Sequence, residues 1–267
     1  DIFEFYCPPV AESTAAIGRH AITSVIKRCE EMGMEVLYGD TDSVFLANPG
    51  EERIRALIDW AEEALGMDLD VDKVYRYVVF SERKKNYLGV LVDGSVDVKG
   101  LTGKKKHVPR LIKEAFERVV HELALVESPE DLEAVKERVK AIVREYYNRL
   151  KKRQFEPEDL AFHVTLGKEP EKYTKTTPQH VKAARELKRK LGRELKAGDI
   201  ISFVKVTPRK SDGDVIDVLP VELATKEDVD VDKYISFLES TFEQILDALG
   251  MSFSEVVGLT RLESFMS

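Results

Sequence analysis

Residues 34–47 read Met34-Glu35-Val36-Leu37-Tyr38-Gly39-Asp40-Thr41-Asp42-Ser43-Val44-Phe45-Leu46-Ala47. Two short apolar runs, closed off by Gly33 on one side and Asn48-Pro49-Gly50 on the other, flank an Asp-Thr-Asp tip, which is the pattern of a tight β-hairpin. Strand side chains alternate, so this reading puts Asp40 and Asp42 on one side and Thr41 on the other. Two carboxylates on one side of a rigid hairpin form half of a site for hard divalent cations. Mg²⁺ takes oxygen ligands and favours one or two carboxylates plus substrate phosphates. Paired ions about 3.5–4 Å apart suit phosphoryl or nucleotidyl transfer, where they clamp the attacking and leaving oxygens. Ordinary turn chemistry accounts for the same residues, because Asp readily bonds its own backbone. The surroundings decide between the two.

Upstream stand Tyr6-Cys7, Ala11-Glu12-Ser13 and Gly18-Arg19, on a segment whose Ile22, Val25, Ile26 and Cys29 have helical spacing. Downstream, two strand-like runs flank Lys84-Lys85-Asn86-Tyr87. Gly167 to Lys175, Pro178-Gln179-His180-Val181 and Lys196-Ala197-Gly198-Asp199 follow, before the apolar run Ile200 to Val206. Taken in order, the chain resembles the C-terminal part of an archaeal family B DNA polymerase. Tyr-Gly-Asp-Thr-Asp-Ser is similar to that family's third polymerase motif, Lys-Lys-x-Tyr to its primer-template motif, and the later segments to its thumb.

The resemblance implies a DNA-directed DNA polymerase using two Mg²⁺ ions. Asp42 would coordinate both ions, and Asp40 would contribute charge or water-mediated contacts. The primer 3′-hydroxyl would attack the α-phosphate of a deoxynucleoside triphosphate. The DNA-facing residues would be Thr41, Lys84 and Lys85, with Lys84 on phosphate and Lys85 in the minor groove, where acceptors occur at every base pair. Tyr87 would pack against sugar or backbone. Lys172, Tyr173, Lys175 and His180 would supply thumb contacts to phosphate, which position without reading sequence. A helix-start hydrogen bond accounts equally well for His180. The family's Arg/Lys-Gly-x-Glu and Arg-Arg-Asp are replaced here by Lys99-Gly100-Leu101-Thr102-Gly103-Lys104-Lys105-Lys106. Backbone contact by Lys104, Lys105 and Lys106 would take the place of the ion pairs. The tail Leu259-Thr260-Arg261-Leu262-Glu263-Ser264-Phe265 resembles an imperfect sliding-clamp motif, with Leu259, Leu262 and Phe265 as its anchors. A plain hydrophobic helix end is the alternative.

Two family motifs do not occur in these residues: Asp-x-x-Ser-Leu-Tyr-Pro, which holds another metal-binding aspartate, and Lys-x-x-x-Asn-Ser-x-Tyr-Gly, which holds the triphosphate. The chain therefore reads as a fragment or as one subunit of a split polymerase. Its partner would be a larger polypeptide carrying the rest of the palm, the fingers and the exonuclease. Met32 and Met34 are candidate native starts for a smaller subunit.

At 267 residues there is chain enough for one or two domains with a real core. No run approaches the ~18 apolar residues of a membrane span, and Cys7 and Cys29 give neither metal-ligand spacing nor a disulfide framework. A reducing cytoplasmic setting follows, with both cysteines read as small core residues. A charged fraction of 34%, heavy in Lys and Glu, fits a thermophilic source. The net charge of −8 is unevenly spread: residues 212–267 hold 13 acids and three bases, or −10, which leaves +2 on the first 211. Residues 99–113 hold six bases and no acid, and residues 172–196 nine bases and two acids. Local field steers a polyanion, and such runs can release counterions from phosphate. A solvated helix face accounts for each run separately.

The fold class expected is α+β: an antiparallel palm sheet covered by helices, followed by a mainly helical thumb. The palm part covers residues 1–108, the thumb 109–257 and the tail 258–267. Helices are expected over 10–32, 51–65 (stopping at Gly66), along the Leu111, Ala115, Val119 and Leu123 face, over 129–152, near 178–191, over 231–249 and over 253–257. Strands are expected over 74–80, 87–92, 96–98, 200–206 and 216–223, with Asp93-Gly94 as a hairpin signal. Two other functional classes compete. One is a non-catalytic DNA-binding or scaffolding subunit derived from a polymerase, which the retention of both aspartates and both lysines argues against. The other is an unrelated Mg²⁺-dependent nucleotidyl transferase, which would need further acids in comparable context.

Overall fold

Helix α1 (Pro8–Glu31) runs into Gly33, whose φ of 69° is the left-handed stop anticipated there. The Gly33 amide donates to Glu30 and the Met34 amide to Cys29, which satisfies the last carbonyls of the helix. The chain is a computed structural model that describes residues 8–80, 87–99, 108–174, 177–211 and 214–259. It divides into two compact units, residues 1–74 and 75–267.

In the first unit, strands β1 (Glu35–Gly39) and β2 (Val44–Ala47) pair antiparallel, with Glu35 opposite Ala47 and Gly39 opposite Val44. The register slips at Leu37, between Val36 and Tyr38, and leaves Leu37 half exposed. Helix α2 (Glu51–Leu65) ends on Gly66 at φ 62°, as its sequence dictates. Val25, Cys29, Met34 and Leu57 form a small core, with Val36, Val44, Leu46 and Trp60 packed against it. Cys29 is fully buried, as the sequence reading had it, and burial pushes its thiol pKa up. Cys7 lies outside the described residues.

In the second unit, β3 (Tyr75–Phe80), β4 (Tyr87–Leu91) and β5 (Val96–Lys99) make an antiparallel sheet in that order. The Asp93-Gly94 turn closes it: Gly94 has φ 84°, and the Asp93 carboxylate accepts from both the amide and the hydroxyl of Ser95. Those bonds hold the Asp93 pKa below the usual carboxylate range. Helices α3 (Arg110–Ala124) and α4 (Pro129–Lys151) follow. The α3 face foreseen from Leu111, Ala115, Val119 and Leu123 is buried, together with Ile112 and Phe116. At the start of α4, the Asp131 carboxylate accepts from the Ser128 amide and hydroxyl and from the Glu127 amide. The end of α3 anchors β3, because Tyr77 donates to the Leu123 carbonyl (2.6 Å) and Arg76 to that of Ala124 (2.9 Å).

A second antiparallel sheet, in the order β6-β7-β8, is built from β6 (Phe162–Thr165), β7 (Ile200–Ser211) and β8 (Asp214–Pro220). Helix α5 (Gln179–Leu191) buries Val181, Ala183, Ala184 and Leu187. Helices α6 (Val231–Ala248) and α7 (Phe253–Val257) close the chain. One continuous core links Leu88 and Val90 of β4 with α3, α4, Phe242 of α6 and Phe253 of α7.

The α+β class with antiparallel sheets stands. Among the described residues the strands are shared among three sheets of two, three and three strands rather than gathered into one. Strand β6 was not foreseen. Phe162 to Thr165 is too short to announce itself, and its partner Ile200–Phe203 lies far along the chain. The division between the compact units falls at Val74/Tyr75, a different boundary from the palm–thumb division expected at 108. The packing reason is visible: β4 shares its core with α3.

Candidate functional site

The acidic tip is closed by the Asp40 amide, which donates to the Ser43 carbonyl at 2.9 Å. Gly39 and Val44 are the last facing pair of the two strands. Asp42 therefore sits in the reversal itself, past the end of β1. The alternation of a strand does not extend to it, and the premise that placed Asp40 and Asp42 on one side is corrected to that extent. Asp40 is half buried, while Thr41, Asp42 and Ser43 are exposed. The Thr41 hydroxyl donates to Asp40 Oδ1 at 3.2 Å.

The tip stands on a braced base. Tyr38 and Phe45 meet edge to face, ring centroids 5.9 Å apart. Gly39 lies against Ile26 of α1, and Val36, Val44 and Leu46 pack on the Cys29/Leu57 core. Arg53 of α2 donates to the Gly33 carbonyl at 2.9 Å, tying α2 to the loop that begins the hairpin. Two carboxylates held on such a base are hard oxygen donors of the kind Mg²⁺ takes. They fit the ion as a partial donor set: among the described residues no group of three His, Cys, Asp or Glu side chains could hold a metal.

Of the residues expected to contact primer-template, Lys84 and Lys85 lie outside the described residues, as do Lys104, Lys105 and Lys106. Tyr87 opens β4 opposite Phe80 and Lys99, half buried, with its ring against Phe80 (6.2 Å) and Tyr75 (6.4 Å).

Lys172, Tyr173 and His180 come together in the second unit; Lys175 lies outside the described residues. The ring of His180 meets Tyr173 edge to face at 6.0 Å, and Lys168 stands over the Tyr173 ring at 4.5 Å. Burial pushes the His180 pKa down, favouring the neutral imidazole. The sequence reading passed over Lys168 and Arg185. Arg185 donates to the carbonyls of Pro170 (2.9 Å) and Tyr173 (3.1 Å). A base four residues before the start of a charged run, and one inside it, carry no local signal of their roles.

The positive run at 172–196 is less bare than its composition suggests. Lys172 pairs with Glu169 (2.7 Å), Lys182 with Asp217 (2.9 Å), Lys188 with Glu171 (2.8 Å) and Glu194 (2.9 Å), Arg189 with Glu186 (2.7 Å), and Arg193 with Glu222 (3.4 Å). Four of these acids lie outside the run, so counting within the run missed them. The exposed pairs among them, such as Lys188–Glu171, are worth about 0–1 kcal/mol, little enough to be exchanged for phosphate; Lys182–Asp217 and Arg189–Glu186 are partly buried. At the C-terminal end Leu259 is exposed, while Leu262 and Phe265 lie outside the described residues. Among the described residues no helix is long and apolar enough to cross a membrane.

Comparison with known proteins agrees with the motifs. The family model for DNA polymerase family B matches residues 3–249. DNA polymerase 1 of Sulfolobus acidocaldarius is 43% identical over 263 residues, covering 98% of this chain and 29% of that protein. DNA polymerase 1 of Saccharolobus solfataricus is 43% identical over 267 residues, covering 100% of this chain and 30% of that protein. The solved structure of the family B DNA polymerase from the hyperthermophilic archaeon Pyrobaculum calidifontis matches with a TM-score of 0.61 at 34% identity, over 96% of this chain and 31% of that one. The chain thus spans about three tenths of the length of the relatives it matches. It belongs to DNA polymerase family B.

Proposed function

We propose that this chain supplies the C-terminal palm (1–108), thumb (109–257) and tail (258–267) of a DNA-directed DNA polymerase, and that Asp40 and Asp42 are its metal-binding carboxylates. The observation that carries the reading is the acidic tip itself, two aspartates on a hairpin braced by α1 and α2 in a chain of this family. Asp42, exposed in the reversal, is the direct ligand. Asp40, half buried and accepting from Thr41, adds negative charge beside it. Two bound Mg²⁺ ions would lower the pKa of the primer hydroxyl and stabilise the leaving pyrophosphate. The remaining carboxylate and the triphosphate-binding residues belong to the rest of the polymerase, without which incorporation is absent.

The protein's own surfaces hold the duplex. Lys84 meets phosphate and Lys85 the minor-groove acceptors, which occur at every base pair, so the contact senses paired geometry without reading sequence. Tyr87, wedged between Phe80 and Tyr75, supports that strand end. Thr41 and Lys104 to Lys106 add further contacts, and Lys172, Tyr173, Lys175 and His180 grip the backbone from the thumb. Leu259, Leu262 and Phe265 form the clamp-binding tail, and titration of a 250–267 peptide against the sliding clamp tests that part.

The central test is Asp42→Asn in the complete polymerase, followed by single-turnover incorporation and by primer-template affinity. The expected result is a rate loss of about 10³-fold or more with affinity held within about threefold. A variant that still incorporates at the parental rate would instead mark a non-catalytic, DNA-binding role for this chain.

A further inference from the structure

A short 3₁₀ turn, Pro170–Lys172, carries Lys172 and leads into Tyr173, with Lys168 just before it. Within the turn, backbone bonding is thin, though Lys172 pairs with Glu169 at 2.7 Å. The Lys172 amide donates to Glu169 at 3.0 Å and the Tyr173 amide to Pro170 at a long 3.5 Å. Pro170 is buried and Tyr173 packs against the core, and a further hold on the turn comes from α5. A single guanidinium nitrogen of Arg185 donates to both the Pro170 and Tyr173 carbonyls, at 2.9 and 3.1 Å. One helical turn on, Lys188 pairs with Glu171 at 2.8 Å. Residues three apart share a helix face, so both grips come from the same side of α5. Buried Val181, Ala184 and Leu187 seat that helix on the core.

The two grips differ in kind. The Lys188–Glu171 pair joins exposed side chains, and Lys188 is also engaged by Glu194, so that link is easily exchanged. Arg185 instead binds backbone on both sides of Lys172, and so it sets the course of the chain that carries the side chain. We propose that Arg185 is a positioning residue for the thumb's DNA contact. Without touching phosphate, it holds the 170–173 turn so that Lys172 and Tyr173 reach the duplex together. The inference rests on the reading of Lys172 and Tyr173 as DNA contacts.

The test is a double-mutant cycle on primer-template affinity in the complete polymerase, at a temperature well below the unfolding midpoint of every variant. Arg185→Met removes the donors and keeps the bulk; Lys172→Ala with Tyr173→Ala removes the presented groups. Each arm should weaken binding about tenfold, and adding Arg185→Met to the Lys172/Tyr173 variant should change it less than twofold, because residues acting as one unit do not add. If the two arms multiply, Arg185 contacts the nucleic acid on its own account and the inference fails. If Arg185→Met leaves affinity unchanged while the other arm weakens it, the inference fails and the contact reading survives. If the Lys172/Tyr173 arm itself has no effect, the contact reading falls.

Discussion

Gly39 of β1 lies against Ile26 of α1: a Cβ at position 39 would stand 3.0 Å from Ile26 Cδ1. No positive φ is involved at Gly39, so the requirement is for space alone. Gly39 is also the last paired residue before Asp40, so any shift it suffers passes directly to the acidic tip.

Gly39→Ala asks the end of one flexible side chain to give by a few tenths of an ångström, and Gly39→Val asks for far more. Destabilisation of about 1 kcal/mol for Ala and about 2–3 kcal/mol for Val is expected in urea unfolding. Incorporation by the complete polymerase should fall in the same order. Adding Ile26→Ala to Gly39→Val should recover part of the lost incorporation. No recovery would mean that the Ile26 contact does not set the tip.

Gly89 makes a tighter demand. A Cβ there would fall 2.4 Å from the Tyr75 ring. That ring cannot simply turn away, because its hydroxyl donates to Asp97 at 2.8 Å and the ring packs at near right angles on Tyr87. Gly89→Ala should cost about 2–3 kcal/mol. The double variant with Tyr75→Ala, measured by thermal unfolding, should lose less than the two single costs summed.

Burial raises the Tyr77 pKa to about 12 from 10, against a smaller opposing effect of Arg76. A raised folded-state value means that the neutral phenol is the form the fold prefers. That contribution is complete below pH 10 and is lost as pH rises toward 12. Tyr77→Phe should therefore flatten the fall of stability between pH 10 and 12 by up to about 2 kcal/mol. It should also cost about 1 kcal/mol at neutral pH for the lost bond to the Leu123 carbonyl. Urea midpoints at pH 7, 10 and 12 check both.

Lys84→Ala should reduce the salt slope of primer-template binding by about 0.9, the value of one phosphate contact. Lys85→Ala should weaken binding equally across template sequences with a smaller change in slope. A loss confined to particular sequences would contradict the minor-groove role.

Most element bounds were legible because the signals that set them are local. Gly66 ends α2 where its left-handed conformation is needed, and Asp93-Gly94 turns the β4–β5 hairpin. Ser128-Pro129 opens α4 at the expected residue. The acidic tip was legible as two carboxylates between apolar runs. Its geometry was not, because whether Asp42 continues a strand or sits in the reversal depends on which residues pair.

The sequence by itself determined the class and most of the helices and strands, since capping residues, turn formers and periodicity act over a few positions, and its motifs pointed to the family. The tertiary structure alone decided that β6 joins a sheet, that little room is left for a side chain at Gly39 and less at Gly89, and that Asp217 and Glu222 from separate stretches pair with Lys182 and Arg193 of the basic run. It also decided that Arg185 holds a turn twelve or more residues upstream. Each of these depends on groups brought together by the fold from separate stretches of chain, and no local preference encodes such a meeting.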